Sequence, residues 1–117
     1  MPSILIVDDQ LEMCELFQEV FTDTEFHVVG VAHRGAEAVR LAGETQPDIV
    51  IMDIEMPDMT GIETTPLILA LSPATAVVLI SALDDRVYRQ QAKDVGARDF
   101  VAKGVLTASR LRDCLAA

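Results

Sequence analysis

Basic residues are scarce in this sequence: nine Lys and Arg stand against 19 Asp and Glu in 117 residues, a formal net charge of −10. The nine form no run, which argues against broad binding to nucleic acid or anionic membrane, since such surfaces select clustered Lys and Arg. Long apolar runs are also missing. The longest, such as Ala76 to Ile80, fall far short of a bilayer span, and no basic segment leads into a stretch of signal-peptide length. A cytoplasmic location is therefore expected, with no membrane partner. Tryptophan is absent and aromatics make up 4%. The two cysteines, Cys14 and Cys114, lie far apart beside apolar neighbours and read as reduced core thiols. At this length about two thirds of the unfolded surface can be buried, so a core forms with neither disulfides nor a structural metal. There is no Gly-rich phosphate loop, no CxxC or HExxH motif, no supported Ser-His-Asp order, no repeat and no linker. The expectation is one small acidic domain over residues 1–117, with no output domain in this chain.

Five short runs rich in β-branched residues are present: Ile4 to Val7, His27 to Val31, Ile49 to Met52, Ala76 to Ile80 and Phe100 to Ala102. They lack polar alternation, the pattern of strands buried on both faces. Between them helical spacing recurs in Met13, Leu16, Phe17 and Val20, in Ala38, Leu41 and Ala42, in Tyr88, Gln91, Ala92 and Val95, and in Ala108, Leu111 and Leu115. The pattern is βα five times over, which predicts an α/β fold with a parallel sheet and helices on both faces, because each right-handed crossover needs a helix. A closed eight-stranded barrel needs roughly twice this length. The third helix is expected to be shortened or irregular: Pro66 follows the capping box Thr60-x-x-Glu63 and either kinks the helix or starts a short one with Thr65 as its cap.

In a doubly wound sheet, functional groups gather outside the carboxyl ends of the strands. Strand 1 ends in Asp8-Asp9, strand 3 in Asp53, strand 4 in Ser81 and strand 5 in Lys103. Each alone has an ordinary structural reading as a cap, a turn residue, a backbone-bonded hydroxyl or a surface charge. Together they do not, since strands about 4.8 Å apart bring their ends within side-chain reach. Three carboxylates on one rim repel unless a cation joins them, and carboxylates with water suit Mg²⁺. A divalent cation, a hydroxyl and an ammonium in one place form a pocket for a phosphoryl group.

The motifs Val7-Asp8-Asp9, Asp48-Ile49-Val50-Ile51-Met52-Asp53-x-x-Met56-Pro57-x-x-x-Gly61, Ile80-Ser81-Ala82 and Phe100-Val101-Ala102-Lys103 together resemble the receiver domain of bacterial two-component response regulators, from Ile4 to the end. The resemblance implies a flavodoxin-like (βα)5 fold with five parallel strands in the order 2-1-3-4-5. It implies that Asp53 accepts a phosphoryl group from a sensor histidine kinase. Asp8, Asp9, Asp53 and the backbone carbonyl of Glu55 would hold Mg²⁺, while Lys103 and Ser81 would serve the phosphoryl oxygens. Ser81 and Phe100 would act as the switch, remodelling the face built by helix 4, strand 5 and helix 5. An output domain or downstream protein would receive the signal, and homodimerisation on phosphorylation belongs to the same set of expectations. The domain itself would bind no nucleic acid and would be a switch, with at most weak autophosphorylation and autodephosphorylation.

Three features set this chain apart within that resemblance. Lys103 precedes Gly104 where many such domains carry Pro, so flexible backbone stands where a rigid turn is common. With Asp84-Asp85 and the run Gly35 to Val39, this resembles receivers that precede a LuxR-type DNA-binding domain. Glu55 should lie beside the phosphoryl site and alter the lifetime of the acyl phosphate. Tyr88, Ala92 and Val95 are open to either core or partner-surface roles, and His27 and His33 read as structural or solvent-facing. Two rival functions are a pseudo-receiver that binds partners without phosphorylation and an Asp-nucleophile phosphatase of the haloacid dehalogenase class. The phosphatase signature requires Asp where Glu55 stands and Thr or Val where Pro57 stands.

Overall fold

Each apolar run forms a strand in the computed structural model, which describes residues 1–116. The strands are β1 (Ser3–Val7), β2 (His27–Ala32), β3 (Ile49–Asp53), β4 (Ala76–Ser81) and β5 (Asp99–Ala102). They alternate with the helices α1 (Leu11–Phe21), α2 (Gly35–Thr45), α3 (Gly61–Leu71), α4 (Arg86–Asp94) and α5 (Ala108–Ala116), with a 3₁₀ turn at Lys103–Val105. All pairings are parallel, and the sheet order is β2-β1-β3-β4-β5. No helix among the described residues is long and apolar enough to cross a membrane.

Alternate residues of the central strands feed two separate cores, as the two-residue period requires. Ile4, Ile6, Ile49, Ile51, Val78, Ile80 and Val101 pack with Cys14, Phe17 and Phe21 of α1 and Leu111 and Cys114 of α5. Leu5, Val7, Val50, Met52, Val77, Leu79 and Phe100 pack on the other face with Ala38, Ala42, Ile68 and Ala92 of α2, α3 and α4. Both thiols are free and buried, and burial raises each to about 11, so neither is a reactive thiolate.

Burial on both faces holds for β1, β3 and β4 and fails for β2. That strand is an edge, with His27 and Val29 exposed, because only one neighbour covers it. In α1 the buried stripe is Cys14, Phe17 and Phe21, while Leu16 turns 49% of its surface to solvent.

Of the two forms expected for the third helix, shortened or irregular, the shortened one does not occur. Helix α3 runs 11 residues, the same length as α1 and α2, with Pro66 inside it and Thr65 in its body rather than at its cap. Its start is held by a complete capping box: Thr60 Oγ1 accepts from the Glu63 amide and Glu63 Oε1 accepts from the Thr60 amide, both at 3.1 Å. Thr64, Thr65 and Ile68 are buried below. Cap and burial together outweigh the one ladder bond that Pro66 cannot donate.

Two substitutions test this balance in urea unfolding. Pro66→Ala should stabilise the chain by about 1–3 kcal/mol, since it restores the missing donor at an exposed position. Thr60→Ala should cost about 1 kcal/mol. A destabilised Pro66→Ala would show that the helix depends on the ring.

Candidate functional site

The site forms where β1, β3 and β5 end. Asp8 follows β1 directly and is fully buried, fixed by its amide, which donates to the Ala32 carbonyl at 3.0 Å, and by its Oδ1, which accepts from the Gln10 amide at 2.9 Å. Below it, Cys14 Sγ lies 3.3 Å and His33 Nδ1 3.1 Å from the Asp8 carbonyl oxygen. His33 therefore has the structural role expected of it, and His27 is solvent-facing. Asp53, the last residue of β3, is 5% exposed, and its Oδ1 accepts from the Glu55 amide at 3.3 Å. Asp9 is exposed beside them. Carboxylate oxygens of Asp8, Asp9 and Asp53 lie within 4.8 Å of one another.

One cation answers this charge. Lys103 Nζ stands 2.9 Å from Asp8 Oδ2 and 3.3 Å from Asp53 Oδ2. The nearer contact pairs the buried Asp8 Oδ2 with the ammonium, and that oxygen has no further partner among the described residues. Burial pushes the Asp53 carboxyl up to about 6; Lys103 opposes the rise and the Asp8 charge adds to it. Burial pulls Lys103 down, but its contacts with Asp8 and Asp53 outweigh that and raise it. Three carboxylates gathered around one ammonium, two of them buried, leave negative charge in excess and fit a hard divalent cation.

The mouth is an open cleft of about 800 Å³ whose lining includes Asp9, Met13, Asp53, Glu55, Met56 and Lys103. Ser81 closes β4 at the same edge but is 4% exposed; Ala82, not Ser81, lines the cleft. Ser81 Oγ accepts from the Leu83 amide at 3.4 Å. Gly104 sits in the 3₁₀ turn without a left-handed φ, and a side chain there would meet nothing within 4 Å. Lys103 is thus aimed by its two carboxylates rather than by unusual backbone angles at Gly104.

Phe100 lies one layer beneath, 2% exposed, in the core shared with α4. The Arg89 guanidinium covers its ring at 5.0 Å from the centroid and pairs with Asp84 at 2.7 Å. Asp48, although part of the long motif, lies at the opposite edge, where its Oδ2 accepts from the Ser3 amide at 2.8 Å.

Three contacts around the site were not visible in the sequence pattern, although Gly61 itself belongs to the long motif. Asp58 caps α2 from the loop after β3, accepting from the amides of Gly35 and Ala36 at 2.9 and 3.0 Å. Gly61 packs so closely that a Cβ would stand 2.6 Å from the Asp53 carbonyl oxygen. The Tyr88 hydroxyl donates to Glu55 Oε1 at 3.4 Å. The Asp58 and Tyr88 contacts join segments that are remote in sequence, and only the position of α4 at the same rim as β4 hinted at the second.

The response regulator receiver domain model matches residues 4–116. The chemotaxis protein CheY of Listeria monocytogenes is 39% identical over 103 residues, 88% of this chain and 87% of the relative. A two-component response regulator of the LuxR family from Aurantimonas sp. SI85-9A1 superposes with a TM-score of 0.88 at 29% identity, covering 99% of this chain and 84% of the other. A CheX-CheY-BeF3-Mg complex from Borrelia burgdorferi gives 0.85 at 30% identity, covering 97% of this chain and 85% of the other. Both chemotaxis and LuxR-type proteins are therefore similar to this chain.

Ionising Asp53 penalises the native state when no divalent cation is present. Its carboxyl titrates near 4 when unfolded and about 6 when folded, so stability from this group is full below pH 4 and is lost as pH rises through 6. Asp53→Asn should then raise the unfolding free energy at pH 7.5 by on the order of 2 kcal/mol, with the difference vanishing toward pH 4. Equal stabilities at pH 7.5 would refute the desolvation account.

Proposed function

The chain belongs to the response regulator receiver domain family, and on that premise we propose that it is a phosphorylation-activated switch of a two-component system whose acceptor is Asp53. Receiver domains act as phosphoacceptor switches rather than as enzymes. The observation that carries the assignment is the cluster of Asp8, Asp9 and Asp53 gathered around Lys103, with Asp8 and Asp53 buried.

Phosphoryl transfer asks a protein mainly to position groups and neutralise charge. An Asp53 carboxylate oxygen attacks phosphorus as the bond to the leaving group breaks, and the product is an acyl phosphate. Lys103 already holds its ammonium 3.3 Å from Asp53 Oδ2, so it can offset a phosphoryl oxygen as a point charge without moving far. Ser81 Oγ accepts only a long bond from the Leu83 amide, and its hydroxyl proton serves a second oxygen. Asp8, Asp9, Asp53 and the backbone carbonyl of Glu55 would hold Mg²⁺. Bound there, Mg²⁺ would neutralise charge on the acceptor carboxylate and the phosphoryl oxygens.

Phe100 lacks a phenolic hydroxyl and so reports the change by packing alone. It lies on β5 beneath Arg89 of α4, which supports reading the α4, β5 and α5 face as the surface that responds. The partners in this reading are a sensor histidine kinase as donor and an output domain or downstream protein as reader, in the cytoplasm, with dimerisation on phosphorylation as a further step.

Intact mass after incubation with Mg²⁺ and acetyl phosphate or phosphoramidate tests the assignment. A labile gain of about 80 Da, the mass of one phosphoryl group, is expected in the native chain. It should require Mg²⁺ and be lost in Asp53→Asn. No adduct, or one untouched by the substitution, would favour the pseudo-receiver.

A further inference from the structure

The chain has a single tyrosine, and the phosphoryl-transfer chemistry makes no use of it. Tyr88 lies in the first turn of α4, where Asp85 Oδ1 accepts from the amides of Val87 and Tyr88 at 2.7 and 3.2 Å and so ties the turn to the loop after Ser81. Its ring packs against the core that contains Phe100. Its hydroxyl crosses to Glu55 Oε1, and Glu55 lines the cleft while its amide donates to Asp53 Oδ1. The next residue, Arg89, covers Phe100. Two adjacent residues of α4 therefore touch the acceptor loop and the strand-5 aromatic.

We propose that Tyr88 is a positioning residue that holds the Glu55 carboxylate at the mouth of the acceptor site, and that the contact is released when Asp53 carries a phosphoryl group. The inference rests on Asp53 being the acceptor. A phosphoryl group carries roughly one and a half to two negative charges where the Asp53 carboxylate carried one, so the site two residues from Glu55 gains up to about one negative charge. Glu55 is exposed, so its carboxylate can turn to water at little cost, whereas Tyr88 is anchored by its ring and by Asp85. A contact that the phosphoryl group breaks must by linkage oppose that group equally. Tyr88 thus sets how readily the site fills without touching the reacting atoms, and α4 loses a tether when it does fill.

With no tryptophan and one tyrosine, the protein's ultraviolet emission reads Tyr88 alone. A carboxylate that accepts a phenolic proton quenches that emission. The full chain is titrated with beryllofluoride, a phosphoryl mimic, in the presence of Mg²⁺, while fluorine NMR counts the adduct independently. Emission should rise in step with the adduct in the native chain, and should be high at the outset and unresponsive in Glu55→Ala. Tyr88→Phe should fill at a beryllofluoride concentration about two- to tenfold lower, the range a net hydrogen bond spans. That gain should vanish when the substitution is placed on Glu55→Ala. An adduct that leaves emission unchanged or lowers it would overturn the tether, as would the same gain in both backgrounds, which would assign Tyr88 a packing role. Absence of any adduct in the native chain would overturn the acceptor assignment itself, and the tether with it.

Discussion

Everything at the carboxyl edge depends on one ammonium group standing between two buried carboxylates. Lys103 Nζ touches Asp8 and Asp53 together, and among the described residues no other Lys or Arg is paired with either. Without it two acidic groups would share a nearly dry site, which costs several kcal/mol per ion in a low-dielectric interior. With it, Asp53 still titrates near 6, because a single positive charge cannot offset burial and a neighbouring carboxylate at once. The site is left short of positive charge, and that shortage makes it receptive to a divalent cation.

Such a site needs a scaffold rigid enough to hold groups that repel. The central strands supply it. Residues of β1, β3 and β4 are almost fully buried between two helical layers, and each strand delivers its functional residue one step beyond the last core position. Asp8 is additionally clamped through its amide and Oδ1, and Gly61 lets α3 press against the Asp53 carbonyl. The loop after Lys103 carries no such clamp, so the lysine follows its counter-charges. That arrangement suits the role proposed for Lys103, which takes a phosphoryl oxygen as a further partner.

Much of this was legible in the residues. The five apolar runs predicted the five strands to within a residue or two, and Asp8, Asp9, Asp53 and Lys103 were placed at one edge by strand ends alone. Local rules failed where tertiary contacts outweighed them. Pro66 argued for a shortened or irregular helix, but a complete capping box and the burial of Thr64, Thr65 and Ile68 carry α3 to full length through it. Leu16 matched the helical spacing and still faces solvent, because α1 meets the sheet through Cys14, Phe17 and Phe21. Val29 belongs to a run whose pattern is that of a strand buried on both faces, and it is exposed on the edge strand β2.

The sequence by itself determined the βα alternation and the set of polar residues at the strand ends, because hydrophobic period and strand boundaries are local properties of the chain. Only the tertiary structure decided how those residues meet. That Asp8 is fully buried and Asp9 exposed, that Lys103 bridges Asp8 to Asp53, and that Tyr88 reaches Glu55 across 33 positions of sequence all follow from strand order and helix placement. The physical reason is range: propensity and periodicity act over a few residues, whereas desolvation and charge pairing depend on which distant segments the sheet brings within a few ångströms.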